Sequence, residues 1–149
     1  MTAPLIYVLN GPNINFLGIR EPEIYGTLSM ADVKDICAKS AEACSVAIDF
    51  RQSNHEGVLV DWIQEAHGRA AGIVLNAGAY THTSIAILDA LRSITVPCIE
   101  VHLTNVQRRE PYRHQSYLGQ EVVGIIAGFG GDSYRLAIDA MAALLKPGR

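Results

Sequence analysis

Leu5-Ile6-Tyr7-Val8-Leu9-Asn10-Gly11-Pro12-Asn13 is the stretch on which the fold turns. Five apolar residues run without interruption and then break into amide and turn residues. A strand with one face in water alternates; a strand covered on both faces does not, so this run predicts a strand of a parallel sheet with helices above and below it. The pattern returns where Gly72-Ile73-Val74-Leu75 breaks into Asn76-Ala77-Gly78, and where Val96-Pro97-Cys98-Ile99 climbs into Glu100-Val101-His102. It returns again where Val122-Val123-Gly124-Ile125-Ile126-Ala127 breaks into Gly128-Phe129-Gly130-Gly131. Val46, Ile48 and Phe50 instead alternate with Ser45, Ala47 and Asp49, a period that predicts an edge strand with one poorly covered face.

Helical patterns fill the gaps. Ser29-Met30-Ala31-Asp32 reads as a capping box ahead of the stripe Val33, Ile36, Cys37, Ala41 and Cys44. Ser53-Asn54-His55-Glu56 reads as a second box, with Val58, Leu59, Trp62, Ile63 and Ala66 as its stripe. A third helix is predicted from about Thr83 through Ile87, Leu88 and Leu91, stopping before Pro97. A fourth follows Gly131-Asp132, with Tyr134, Ala137, Ile138, Met141 and Leu145 inward. Five strands alternating with helices make an α/β protein. An edge strand second in sequence selects a flavodoxin-like five-stranded parallel sheet of order 2-1-3-4-5 with helices on both faces. Ligands of such sheets sit at the carboxyl ends of the strands, where all the polar breaks fall.

Composition narrows the function classes. The 149 residues are expected to form a single catalytic domain, 1–149, with no repeat or linker. A net charge of −3 with scattered signs offers no basic face to nucleic acid. No signal pattern and no membrane-length apolar run is present. The three cysteines, Cys37, Cys44 and Cys98, lack metal-ligand spacing and read as core thiols of a reducing cytoplasm.

Four clusters carry chemistry. Glu100 and His102 alternate along one strand and so point to the same side; a carboxylate holds one imidazole tautomer and raises its basicity, as a general acid near neutral pH requires. Residues 11–28 form a connection too long for an ordinary loop, and a lid is expected at about 18–27 between Gly18 and Gly26. It contains Arg20 and Tyr25. A free tyrosine ionises only near pH 10 or about there, and a neighbouring guanidinium favours the phenolate that can act as a base. Asn76-Ala-Gly-Ala-Tyr-Thr-His-Thr-Ser84 delivers an amide, His82 and backbone N–H groups to a helix start, with Asp89 further along that helix. Arg108-Arg109-Glu110-Pro111-Tyr112-Arg113-His114 brings arginines suited to a carboxylate or hydroxyls.

Taken together, Asn-Gly-Pro-Asn at 10–13, Arg-Glu-Pro-Glu-Ile-Tyr-Gly at 20–26, Arg-Gln-Ser-Asn-His-Glu-Gly at 51–57, Asp-Trp-Ile at 61–63, the 76–84 stretch and Glu-Val-His-Leu-Thr-Asn at 100–105 closely resemble the type II 3-dehydroquinate dehydratases over nearly the whole chain. The resemblance implies a cofactor-free hydro-lyase that converts 3-dehydroquinate to 3-dehydroshikimate and water through an enolate. It implies Tyr25 as base, Arg20 as the residue keeping the phenol partly ionised, and Asn13 as holder of an enolate-stabilising water. His102, oriented by Glu100, would be the acid. Asn76 and the backbone of Leu103 and Thr104 would hold the substrate carboxylate, and His82 and Arg113 its ring hydroxyls. Arg109 has a supporting role. Asp89 would reach a neighbouring subunit's site in a homo-oligomer, typically a dodecamer of four trimers. Thr104 stands where the family usually has serine, Gln115 where it often has a basic residue or histidine, and Ile14 and Phe16 vary a leucine-rich stretch.

The lysine inventory agrees with this chemistry. Lys34, Lys39 and Lys146 are the only lysines, and none falls at a strand's carboxyl end, where an imine-forming lysine would be needed. Two rival functions are a metal-assisted hydrolase or lyase on His82, His102 and Glu100, and a non-catalytic receiver-like or flavin-binding module. The first strand ends in Asn10 rather than in clustered acids, and no hydroxyl-rich phosphate loop is present.

Overall fold

A computed structural model describes residues 2–148. Five parallel strands, β1 (Leu5–Asn10), β2 (Ala47–Gln52), β3 (Gly72–Asn76), β4 (Cys98–His102) and β5 (Gly124–Ala127), form one sheet of order β2-β1-β3-β4-β5. This is the expected flavodoxin-like order. Helices α2 (Met30–Cys44) and α5 (Asp132–Leu144) cover one face, where Val33, Cys37, Tyr134, Ile138 and Met141 pack on Ile6, Val8, Val74, Ile99 and Val101. Helices α3 (Glu56–Ala66) and α4 (Ile85–Arg92) cover the other, where Leu59, Ile63, Ile87 and Leu91 pack on Tyr7, Leu9, Ile73 and Leu75. Uninterrupted apolar strands are thus explained by two separate cores, one per face. A four-residue helix α1 (Pro22–Tyr25) lies in the long connection after β1.

Three expectations change. The run 122–127 does not make a strand buried on both faces: β5 is the second edge of the sheet, and Val123 and Ile125 are exposed. Apolar composition alone does not distinguish a central strand from an edge whose outer side is bare in a single chain. The capping box of Ser29 forms, Ser29 Oγ accepting from Asp32 N and Asp32 Oδ2 from Ser29 N, but the one at Ser53 does not. There the N-cap is His55, without a side-chain bond; Ser53 Oγ accepts from His55 N, and Asn54 is turned away. Its Oδ1 accepts from the backbone N–H of Asn13 and from Gln52 Nε2, and its carbonyl from the hydroxyl of Tyr80. Asn54 therefore ties the loop after β1 to the loop after β2. The third helix begins at Ile85, not Thr83, because Ser84 is its cap and accepts from Ile87 N; residues 78–82 form a 3-10 turn instead.

The register places the carboxyl ends together. Asn10 pairs with both Gln52 and Asn76, and His102 with Ala127. Gly11 follows the first of these ends, and a Cβ there would run into the backbone carbonyl of Ala77, so the two loops approach through a position only glycine allows. Beneath them runs a buried polar chain. Asn76 Nδ2 donates to Tyr134 Oη (2.8 Å), Tyr134 Oη donates to Asn10 Oδ1 (2.6 Å), and Asn10 Nδ2 donates to the carbonyl of Arg51 (3.0 Å). Burial pushes the Tyr134 phenol above its ordinary range, which keeps its donor proton in place. Tyr134→Phe would leave an acceptor on Asn10 and a donor on Asn76 unpaired. The expected loss is about 2–4 kcal/mol, read as a melting temperature lower by roughly 5–10 °C; an unchanged melt would show that water fully replaces the hydroxyl.

Candidate active site

One pocket gathers most of the proposed residues. Asn13, Arg20 and Tyr25 reach it from the loop after β1, Asn76 and His82 from β3 and the turn after it, and His102, Leu103 and Thr104 from the end of β4. Arg109 and Arg113 come from the connection between β4 and β5. Among the described residues, three arginines and no aspartate or glutamate line it. Glu21 and Glu110 pair with these arginines from outside the lining, so the surface facing the cleft carries arginines and neutral groups, which suits an anion. Lys34, Lys39 and Lys146 are exposed and elsewhere.

Two guanidiniums lie close to the ring of Tyr25. Arg20 Cζ sits 4.9 Å from its ring centroid and Arg109 Cζ 5.2 Å. Contact with the phenol oxygen comes from Arg109, whose Nη1 donates to Tyr25 Oη at 2.9 Å; Arg20 stacks on the ring and pairs with Glu21 at 3.4 Å. Sequence proximity favoured Arg20, only five positions from the tyrosine, whereas Arg109 is 84 positions away. Arg109 is held in turn: Thr104 Oγ1 lies 3.4 Å from its Nη1, and His114 Nε2 donates to its carbonyl at 2.9 Å. The hydroxyl at position 104 thus has a side-chain partner, which serine would equally provide.

Glu100 and His102 meet as their alternation on β4 implies. His102 Nε2 stands 2.6 Å from Glu100 Oε2, with the two residues 6% and 1% exposed. A carboxylate only accepts, so Nε2 carries a proton and Nδ1 is the nitrogen without a protein partner among the described residues. Glu100 itself lies behind His102 and does not line the pocket. His82 stacks near His102, ring centroids 6.2 Å apart, and donates from Nδ1 to the carbonyl of Gln115 at 2.7 Å. Burial pushes the His82 imidazole down, favouring a neutral ring with Nε2 free to accept from a hydroxyl. Because residue 115 holds His82 through its backbone, glutamine there leaves the contact intact.

Asn76 spends Oδ1 on the N–H of Gly78 and one amide proton on Tyr134, which fixes its second amide proton in direction. Arg113 pairs with Glu110 at 3.2 Å while keeping its place on the pocket wall. Asp89 is exposed on α4 and is not part of this chain's pocket. Pro12, Ile14, Leu17 and Val106 also line the pocket; nothing in their sequence context distinguishes them from ordinary packing residues. Among the described residues no group of three His, Cys, Asp or Glu side chains is placed to hold a metal ion.

The family model described as dehydroquinase class II matches residues 4–142. The chain belongs to the class II dehydroquinase family. It is 55% identical over 143 residues to 3-dehydroquinate dehydratase 2 of Pseudomonas putida, covering 96% of each chain. It is 57% identical over 144 residues to the 3-dehydroquinate dehydratase of Azorhizobium caulinodans, covering 97% of each. The crystal structure of the type II dehydroquinase from Butyrivibrio crossotus superposes with a TM-score of 0.92 at 43% identity, covering 95% of this chain and 99% of that one. The dehydroquinase fold thus accounts for the strand order.

Proposed function

We propose that this chain removes water from 3-dehydroquinate by the type II route, giving 3-dehydroshikimate through an enolate. The observation that carries the reading is a pair of proton-transfer groups lining one arginine-rich pocket: a tyrosine whose hydroxyl is held by Arg109, and a histidine backed by a buried glutamate. Tyr25 takes the proton from the carbon next to the ketone, with Arg109 and Arg20 placing positive charge against the phenolate that does so. Charge moves onto the ketone oxygen, where a water held by Asn13 stabilises the enolate. His102 then protonates the departing hydroxyl, and Glu100 steadies the imidazolium before the transfer. Asn76 and the backbone N–H groups of Leu103 and Thr104 hold the carboxylate. His82 and Arg113 bind ring hydroxyls.

The loop 18–27 is assigned as a lid. Its ends already lie together, since a Cβ on Gly18 would stand 3.3 Å from the carbonyl of Thr27, and its hinges Gly18 and Gly26 have φ of 87° and 72°. Motion about these two points moves Arg20 and Tyr25 without disturbing the sheet. A homododecamer of four trimers is proposed in which Asp89 completes a neighbour's site; its exposure on α4 and the bare edge at β5 support this. The free thiols Cys37, Cys44 and Cys98 suit a cytoplasmic enzyme. No helix among the described residues is long and apolar enough to cross a membrane.

The test is ultraviolet absorbance of purified protein mixed with 3-dehydroquinate. An enone signal should rise at a rate indifferent to chelator and to prior borohydride treatment with substrate. Loss of the signal on chelation would support the metal-assisted alternative, and loss on borohydride treatment an imine.

A further inference from the structure

We propose that Ser116 is a positioning residue for the general acid, fixing the Glu100 carboxylate and through it the ring of His102. The assignment rests on the dehydration chemistry proposed above, in which His102 delivers the proton. Glu100 is 1% exposed, and a buried carboxylate must have its oxygens satisfied. Neither arginine nor lysine among the described residues pairs with it. One oxygen, Oε2, faces His102 Nε2 at 2.6 Å; the other, Oε1, accepts from Ser116 Oγ at 2.6 Å. Ser116 Oγ also accepts from the backbone N–H of Gly119 at 2.9 Å. With that lone pair engaged and a carboxylate able only to accept, the hydroxyl proton has one direction, onto Glu100.

The surrounding segment acts on the second histidine as well. Gln115, one residue earlier, offers the carbonyl that holds His82 Nδ1, and Tyr117, one residue later, donates its N–H to the carbonyl of Thr81 at 3.0 Å. Arg113 lies three positions before Ser116 and lines the pocket itself. Residues 113–117 therefore supply a substrate contact and the anchors of both ring systems. Without the serine hydroxyl, Glu100 keeps His102 as its only side-chain partner among the described residues, and the pair is free to turn together away from the line of proton transfer.

A displaced acid lowers the rate of the chemical step while leaving binding nearly as it was. Ser116→Ala is expected to lower kcat about tenfold with KM within roughly twofold, since misplacement of a reacting group by a fraction of an ångström is costly. The alternative is that Ser116 serves only the turn that Gly119 closes. A double-mutant cycle with Glu100→Ala separates the two, because a residue acting through Glu100 has nothing to act on once that carboxylate is gone. Steady-state kinetics on 3-dehydroquinate are measured for the assembled wild type, both single variants and the double variant. The loss from Ser116→Ala should shrink to less than about twofold in the Glu100→Ala background. Multiplying losses, or a change confined to KM, would overturn the assignment. Should the alanine variants fail to fold, Ser116→Thr and Ser116→Val, nearly equal in shape, make the comparison: Thr must retain kcat and Val lose it, and equal rates overturn the proposal. An inactive wild type would remove the dehydration reading, and the acid assignment with it. An active wild type with multiplying losses would remove the role of Ser116 alone.

Discussion

Tyr25→Phe is expected to lower kcat by about a thousandfold or more while folding and assembly survive, the loss coming from removal of the group that takes the proton. The substitution deletes one oxygen. The ring stays beside the guanidiniums of Arg20 and Arg109, whose Cζ atoms lie 4.9 and 5.2 Å from its centroid, and it keeps its packing against the core. The oxygen lost is the acceptor of the 2.9 Å bond from Arg109, which sits on a pocket wall where water can replace it. A stability change below about 1 kcal/mol is therefore expected. KM should move little, because Asn76, His82 and Arg113 hold substrate without the phenol. The measurement is kcat and KM with circular dichroism and sedimentation of the same sample. A Tyr25→Phe enzyme turning over at the wild-type rate would show that some other group is the base.

How far the chain could be read beforehand depends on whether the interaction is local. Central strands announced themselves because a strand covered on both faces needs apolar residues at every position, so the runs 5–9 and 72–75 needed no partner to be recognised. The same rule misplaced 122–127, since Ile125 faces open space in the single chain and its exposure is a matter of what lies beside the sheet. Glu100 and His102 were legible because two residues on one strand share a face by geometry alone. The Ser53 box failed for the opposite reason: the local pattern was present, but the loop after β1 recruited Asn54 from 41 positions away. Contacts from Arg109 to Tyr25, from Tyr134 to Asn10 and from Ser116 to Glu100 span 84, 124 and 16 positions. No spacing rule reaches that far. Sequence supplied the chemical groups of the site, and tertiary structure supplied the contacts that orient them.

His102→Gln should separate the two halves of the reaction. Glutamine is close in reach, and its amide can donate to Glu100 Oε2 as His102 Nε2 now does at 2.6 Å, so the buried carboxylate stays satisfied. The glutamine amide donates hydrogen bonds but is far too weak an acid to transfer a proton to a leaving hydroxyl. The expected loss in kcat for elimination is about a thousandfold, within the range a positioned acid contributes. Proton abstraction by Tyr25 does not use His102 and should continue. In deuterium oxide, the proton on the carbon next to the ketone should then exchange with solvent faster than product forms, followed by proton magnetic resonance of 3-dehydroquinate. Tyr25→Phe should abolish exchange and elimination together. This contrast follows from an enolate that forms before the carbon–oxygen bond breaks. If His102→Gln lost exchange and elimination in equal measure, proton removal and hydroxyl departure would have to share one step, and the pocket would be a concerted catalyst in which Tyr25 and His102 act at the same moment.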